Sequence, residues 1–116
     1  AGGAAAAPLL VRDGVEFDPV FALSDTLGPG VLRALGEEGL RVPDDVAVIA
    51  FDNIDESKYS VPSMTTVDPG RDEIAAIAVD RLIERINEKG ERRPPETFKP
   101  DFRIVKREST GFTSAD

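Results

Sequence analysis

Asp52 and Asn53 close a short apolar run, Val46 to Phe51, fed by the turn Val42-Pro43-Asp44-Asp45. At the carboxyl edge of an α/β sheet the crossover connections leave a crevice, and polar side chains there meet ligands. An ionised carboxylate offers about four lone-pair sites and no donor, so Asp52 suits adjacent hydroxyls or an amine. Asn53 could add a donor and an acceptor. Asp-Asn after a strand is also ordinary turn chemistry, in which both side chains serve their own loop. A second carboxylate, Asp25, lies within Ser24-Asp25-Thr26, a cluster suited to satisfying the first amides of a helix. Asp25 and Asp52 form the only plausible pair for carboxylate-only hydrolysis. Asp44 and Asp45 are a turn pair; two adjacent carboxylates do not make a metal site, and no further ligands converge on them in sequence.

Other chemistries are excluded by composition. The chain has no histidine and no cysteine, which removes disulfides, thiolate nucleophiles, Cys/His zinc sites and imidazole acid/base work. Gly28-Pro29-Gly30 lacks the spacing and the lysine of a phosphate-cradling loop, and no serine stands in a nucleophile elbow. No enzyme activity and no cofactor are expected. With 14 basic against 22 acidic residues the net charge is −8, a surface that repels phosphate backbones. The 116 residues fit one domain by length, and 41% hydrophobic with 31% charged residues is a globular composition. No run approaches the roughly 18 apolar residues that cross a bilayer. The opening AGGAAAAPLL lacks a basic amino-terminal region, so its alanines read as a helix packed against something rather than a leader. With no initiator methionine, the chain is expected to begin in the middle of a fold.

The elements that must position Asp52 follow from periodicity. Ala4 to Val11 reads as the end of a helix, stopped near Asp13-Gly14. Phe17 to Leu23 reads as a strand with its apolar core at Val20 to Leu23. Leu27, Val31 and Leu35 recur every fourth residue beside Leu32, an amphipathic helix. Pro29 is tolerated only in a first turn, which sets the start near Thr26. Gly39 is expected at C′, with Leu40 making the accompanying apolar contact. Val46 to Phe51 has the continuous apolar character of a covered parallel strand. Asp55 to Ser60 is polar and irregular. Val61 to Val67, with Pro62, Met64 and two threonines, reads as an extended crossing segment rather than a central strand. Asp68-Pro69 predicts a helix start, with Asp68 as N-cap. Ile74, Ala78, Leu82 and Ile86, flanked by Val79 and Ile83, give about four amphipathic turns closed by Gly90. A charged, proline-broken loop, Glu91 to Pro100, precedes a last strand, Phe102 to Val105, and a loose tail from Thr110 to Asp116. Met64 and Phe51 are expected in the core. Three good strands are too few to cover the helices of a doubly wound sheet, so the chain reads as part of a larger domain pair.

Four runs carry a resemblance: FALSDTLGPGVLRAL at Phe21 to Leu35, GLRVPDDVAVIAFDN at Gly39 to Asn53, PSMTTVDPGRDEIAAIAVDRLIERI at Pro62 to Ile86, and FRIVKREST at Phe102 to Thr110. In this order and spacing the chain resembles the effector-binding region of the lactose/galactose-repressor (LacI/GalR) family of bacterial transcription regulators. The resemblance implies an α/β, Rossmann-like, periplasmic-binding-protein-like domain, incomplete and representing the carboxyl-terminal portion. In that family two subdomains close over a small ligand, and an amino-terminal helix-turn-helix binds the operator. Residues 1–67 would then be part of the carboxyl-side subdomain. Residues 68–97 would be the last helix of the amino-side subdomain with its crossover, and residues 98–116 the return strand and tail of the carboxyl-side subdomain.

The resemblance also implies roles. Asp52 matches the acidic residue that hydrogen-bonds ligand hydroxyls or an amine, with Asn53 beside it. Ser24 stands where many sugar-responsive members have Asn; it reaches less far and cannot make a carboxamide's two-sided contact. Arg71 takes the place of an aromatic that stacks beneath the sugar in some members, and could instead fork onto a carboxylate or phosphate; a solvated arginine is the alternative. Leu27, Val31 and Leu35 align with a surface used for homodimerisation, their apolar face shared between sheet and partner or wholly intramolecular. The expected partners are a small-molecule effector, a sugar or derivative, and a second copy. DNA would be reached only through a helix-turn-helix absent from this chain, and no membrane is involved. A cytoplasmic regulator is the first expectation; an exported solute-binding receptor of a transport system is the rival built on the same architecture.

Overall fold

The computed structural model describes residues 2–14 and 19–112. Helix α1 spans Gly2–Arg12, strand β1 Pro19–Phe21, helix α2 Gly28–Glu37, strand β2 Ala47–Phe51 and strand β3 Thr65–Asp68. Helix α3 follows at Arg71–Ile86 and strand β4 at Arg103–Val105. Residues 17 and 18 of the expected first strand, and 113–116 of the expected tail, lie outside the described residues. The four strands form one sheet in the order β1-β2-β3-β4. β1 and β2 are parallel with Val20 opposite Val48, β2 and β3 are parallel with Ala50 opposite Thr66, and β4 runs antiparallel to β3 with Ile104 opposite Val67.

Each helix forms for a local reason. α2 begins two residues after the expected Thr26, with Leu27 at the N-cap position and Pro29 in the first turn, where its missing N–H costs no helical hydrogen bond. At its other end the amide of Gly39 bonds to the carbonyl of Gly36 (3.1 Å) and that of Leu40 to Leu35 (2.9 Å). These two bonds are the Schellman pattern, and Gly39 adopts the positive φ of 79° it requires. Leu40 tucks against the core as the motif predicts. The small residues of α1 let it lie close on α2: a Cβ at Gly3 would sit 2.4 Å from the Leu27 carbonyl oxygen. The alanine-rich opening is therefore a helix packed against something, and that something is α2.

Ala22, Val31, Leu35, Val46, Val48, Ala50 and Met64 form the buried core between sheet and helices. Two expectations about β3 and α3 differ from the structure. The segment ending at Val67 is not merely a crossing segment: Thr65–Asp68 is an inner strand, held by β2 on one side and β4 on the other. Its two threonines are at most 2% exposed, with hydroxyls bonded inside the protein, so their polarity did not mark solvent. Helix α3 does not start at Asp68 either. Asp68 ends β3 and its carboxylate accepts the Gly70 N–H at 2.8 Å, so Gly70, at φ 84°, takes the N-cap position.

α3 stands apart from the rest. None of its residues is buried, and Ile74, Val79, Leu82, Ile83 and Ile86 are 44–72% exposed. The radius of gyration is 18.8 Å, against roughly 13 Å for a compact chain of this length. Arg93, from the loop after the helix, bridges Glu84 at 2.9 Å and Glu88 at 3.1 Å, which fixes the loop to the helix without covering the apolar stripe.

Candidate functional site

The site is built at the carboxyl edge of the three parallel strands. The Asp25 N–H donates to the Phe51 carbonyl at 2.7 Å, which brings the residues after β1 beside those after β2. Three successive amides of the next loop are then held: Asp52 N–H by the Val67 carbonyl at 2.9 Å, Asn53 N–H by Thr66 Oγ1 at 3.2 Å, and Ile54 N–H by Asp25 Oδ2 at 2.9 Å. Arg71 reaches back from α3 to donate to the Asn53 carbonyl at 2.9 Å. Ser24, Asp52, Asn53 and Arg71, distant in sequence, are thereby gathered along one edge.

Asp52 and Asn53 both have positive φ, 118° and 57°. Asn tolerates the left-handed region well, but φ 118° is costly for any side chain, and strain of this kind concentrates at functional positions. The fixed amides keep this backbone in place.

Side-chain engagement separates the four residues. Ser24 Oγ lies 2.7 Å from Thr26 Oγ1. The Asn53 carboxamide accepts from Arg107 at 3.0 Å and donates to Asp68 at 3.1 Å. Arg71 uses one nitrogen on the Asn53 carbonyl and is otherwise exposed. Among the described residues, the half-buried Asp52 carboxylate alone of these four makes no hydrogen bond or ion pair. It is an acceptor held in a fixed place with its lone pairs free.

Asp25 was expected to cap α2, and it does not: the N-cap position of α2 carries no side-chain hydrogen bond. Its carboxylate, 2% exposed, accepts from Ile54 N–H, the Ser57 hydroxyl and, at 2.6 Å, the Thr66 hydroxyl. Its lone pairs are taken instead by one loop amide and two hydroxyls that the fold brings to it. These contacts also commit Asp25 to the interior, away from hydrolytic work with Asp52.

Arg107 was missed altogether. It is 3% exposed and donates to the Met64 carbonyl at 3.0 Å and to Asn53, while its amide donates to Thr65 Oγ1 at 2.7 Å. In the run Lys106-Arg107-Glu108 nothing distinguished it from a solvated charge. Thr66, which accepts from Asn53 and donates to Asp25, lies in the matched run Pro62 to Ile86, which marked the family without marking this role.

Asp68 sits where the chain leaves the sheet for α3. Desolvation is the largest single influence on its carboxyl and pushes the pKa up, but the Gly70 N–H, the Asn53 amide, the Arg71 N–H and the charge of Arg103 together bring it below the ordinary carboxylate value. Arg103 Nε stands 3.5 Å away. Asp45 is lowered chiefly by its side-chain hydrogen bond to Arg41, which also donates its amide at 2.8 Å; the turn pair is a turn. No group of three potential metal ligands occurs among the described residues.

Two hollows flank the edge. Asp25, Thr26, Pro29, Ser57, Ser60 and Met64 border one of about 300 Å³. Phe51, Val67, Pro69, Phe98, Pro100 and Phe102 border another of about 540 Å³. Met64 is core as expected, whereas Phe51 is half-buried and faces the second hollow. Of the expected dimer residues, Val31 and Leu35 are 6% and 0% exposed and Leu27 is half-buried against the same core, so α2 turns this face inward.

A family model described as a periplasmic binding protein-like domain matches residues 2–110. The chain is 41% identical over 87 residues to the HTH-type transcriptional repressor PurR of Pasteurella multocida, covering 75% of this chain and 26% of that protein. A solved LacI-family protein of Sanguibacter keddieii superposes with a TM-score of 0.89 at 47% identity, over 95% of this chain and 40% of that one. A LacI family transcriptional regulator from Enterococcus faecalis, solved with bound ribose, superposes with a TM-score of 0.81 at 28% identity, over 94% of this chain and 39% of that one. The chain thus spans about a quarter of the length of the curated relative.

Proposed function

Because the chain belongs to the LacI/GalR family of transcriptional regulators, as the carboxyl-terminal part of their effector-binding domain, we propose that it forms one wall of an effector cleft with Asp52 as its principal contact. The observation that carries this reading is the free Asp52 carboxylate on a strained loop whose three successive amides are held by hydrogen bonds. The effector is a small polyhydroxylated molecule, a sugar or derivative, whose adjacent hydroxyls donate to Asp52. Ser24 and the unused nitrogens of Arg71 complete this wall, and residues outside the chain supply the opposite one. The named relatives are regulators of transcription, which favours a cytoplasmic regulator over the exported receptor and over an enzyme.

In this reading residues 1–67 and 98–116 belong to one subdomain, and residues 68–97 contribute a helix to the other. The exposed α3 stripe supports that division. Five apolar side chains left 44–72% exposed correspond to about 4–8 kcal/mol of burial, which a second sheet would recover. Effector binding favours one orientation of the two bodies, and its coupling to DNA affinity is reciprocal. The operator is contacted by a helix-turn-helix outside this chain. A second copy docks on the α2 side. With Val31 and Leu35 enclosed, the contact falls to Leu27 and to Tyr59 and Val61, which are 76% and 93% exposed beside Ser60.

Isothermal titration of the full-length protein with a panel of pentoses and hexoses tests the site. The native protein binds one member, and Asp52→Ala loses that binding. Equal affinity in the two proteins removes Asp52 from the cleft.

A further inference from the structure

Asn53 stands next to the free carboxylate, yet both ends of its side chain are engaged inside the protein. Its oxygen accepts from the buried Arg107 guanidinium at 3.0 Å, and its nitrogen donates to Asp68 at 3.1 Å. Only one orientation of the carboxamide serves both partners, since a guanidinium has no acceptor and a carboxylate no donor. The two partners lie in different places. Arg107 is seated in the subdomain core, on the Met64 carbonyl. Asp68 is the last residue of β3, holding the Gly70 amide from which α3 departs. The Asn53 backbone joins the same junction: its carbonyl takes the Arg71 guanidinium and its amide donates to Thr66. One residue therefore links the core, the strained effector loop and the crossing to α3.

We infer that Asn53 is a positioning residue rather than an effector contact: a neutral bridge that fixes the Asp52 loop and locks its placement to that of the crossing segment Asp68–Gly70. Its connection to effector binding rests on the proposed role of Asp52. The bridge itself does not. Neutrality matters because Asp68 already has Arg103 from β4 beside it and shares its surroundings with Arg71, Asp72, Glu73 and Asp101. A second carboxylate at position 53 could pair with Arg107 but would face Asp68 as a like charge. Two carboxylates facing each other repel while both are ionised, which favours a proton on one of them.

Amide hydrogen exchange on the full-length protein without effector, corrected for intrinsic rates, tests the bridge. Asn53→Ala removes both contacts, and exchange should rise about tenfold at residues 52–54 and at the amides of Asp68, Gly70 and Arg71. Asn53→Asp keeps an acceptor for Arg107 and loses the donor to Asp68. At pH 7.5 it should speed exchange at Asp68, Gly70 and Arg71 while leaving 52–54 near native, and lowering the pH into the carboxylate range should restore protection at those three amides as one of the pair takes up a proton. A general structural defect gives neither the split nor its reversal. The bridge is overturned if Asn53→Ala leaves those three amides unchanged, or if Asn53→Asp loosens both segments alike at every pH. Should Asn53→Ala fail to fold, Asn53→Asp decides alone. Loss of effector binding in Asp52→Ala is read separately by titration, so failure of the cleft assignment and failure of the bridge are distinct results.

Discussion

Replacing Asp25 by alanine discriminates between two roles that differ in magnitude. An N-cap lost to alanine costs about 1 kcal/mol. The structure instead gives Asp25 three donors, Ile54 N–H at 2.9 Å, Thr66 Oγ1 at 2.6 Å and the Ser57 hydroxyl, at 2% exposure. Hydrogen bonds to a charged acceptor contribute about 1.5–3 kcal/mol each. The variant escapes the cost of burying the charge, and the two hydroxyls can rotate to other acceptors, but the Ile54 amide cannot. A net loss of about 3–5 kcal/mol follows. Asp25→Asn retains one acceptor for Ile54 and Ser57 and turns an NH2 toward Thr66 Oγ1, which already accepts from Asn53. Its cost should be smaller, about 1–2 kcal/mol. A cycle with Thr66→Val should show coupling of about 1–2 kcal/mol. Urea unfolding of the full-length protein, followed by circular dichroism, measures all four variants. A loss of 1 kcal/mol or less for Asp25→Ala would refute the junction and return Asp25 to a capping role.

Other outcomes follow from single contacts. Asp52→Gly relieves φ 118° and removes a side chain without an intramolecular partner, so thermal unfolding should show a gain of about 1 kcal/mol while titration shows loss of effector binding. At Gly70 a Cβ would lie 2.6 Å from the Asp101 carbonyl oxygen at φ 84°; Gly70→Ala should cost about 2–3 kcal/mol in denaturant unfolding. Because the Asp68 pKa is lowered in the fold, its contribution is complete above the unfolded value of about 3.9 and is lost as pH falls through the lower folded value; Asp68→Asn should flatten that acid limb of the stability profile. The 116-residue chain alone should self-associate through the α3 stripe with rising concentration, as light scattering on a sizing column would record; a monodisperse monomer with strong exchange protection at residues 74–86 would contradict the subdomain division.

Sequence patterning alone located α1, α2, α3, β1, β2 and β4, because those patterns are local: a four-residue apolar repeat, a short apolar run, a proline in a first turn, a glycine placed for a Schellman close. It also located the edge where Asp52 and Asn53 lie, since a polar pair after an apolar run is a property of neighbours in the chain. The strand count gave the expectation of missing strands, and the four matched runs added the family that explains them. Tertiary structure alone decided the rest. β3 was illegible because its threonines look like loop residues until β2 and β4 flank them and their hydroxyls find partners from Asp25 to Arg107. Asp25 was read as a cap because only local amides are visible in sequence, whereas its actual donors come from 29 to 41 residues away. The partners of the Asn53 carboxamide, Arg107, 54 positions on, and Asp68, were likewise invisible in the sequence. A side chain's hydrogen-bonding capacity is written in the sequence, but which groups use it depends on what the fold brings within about 3 Å.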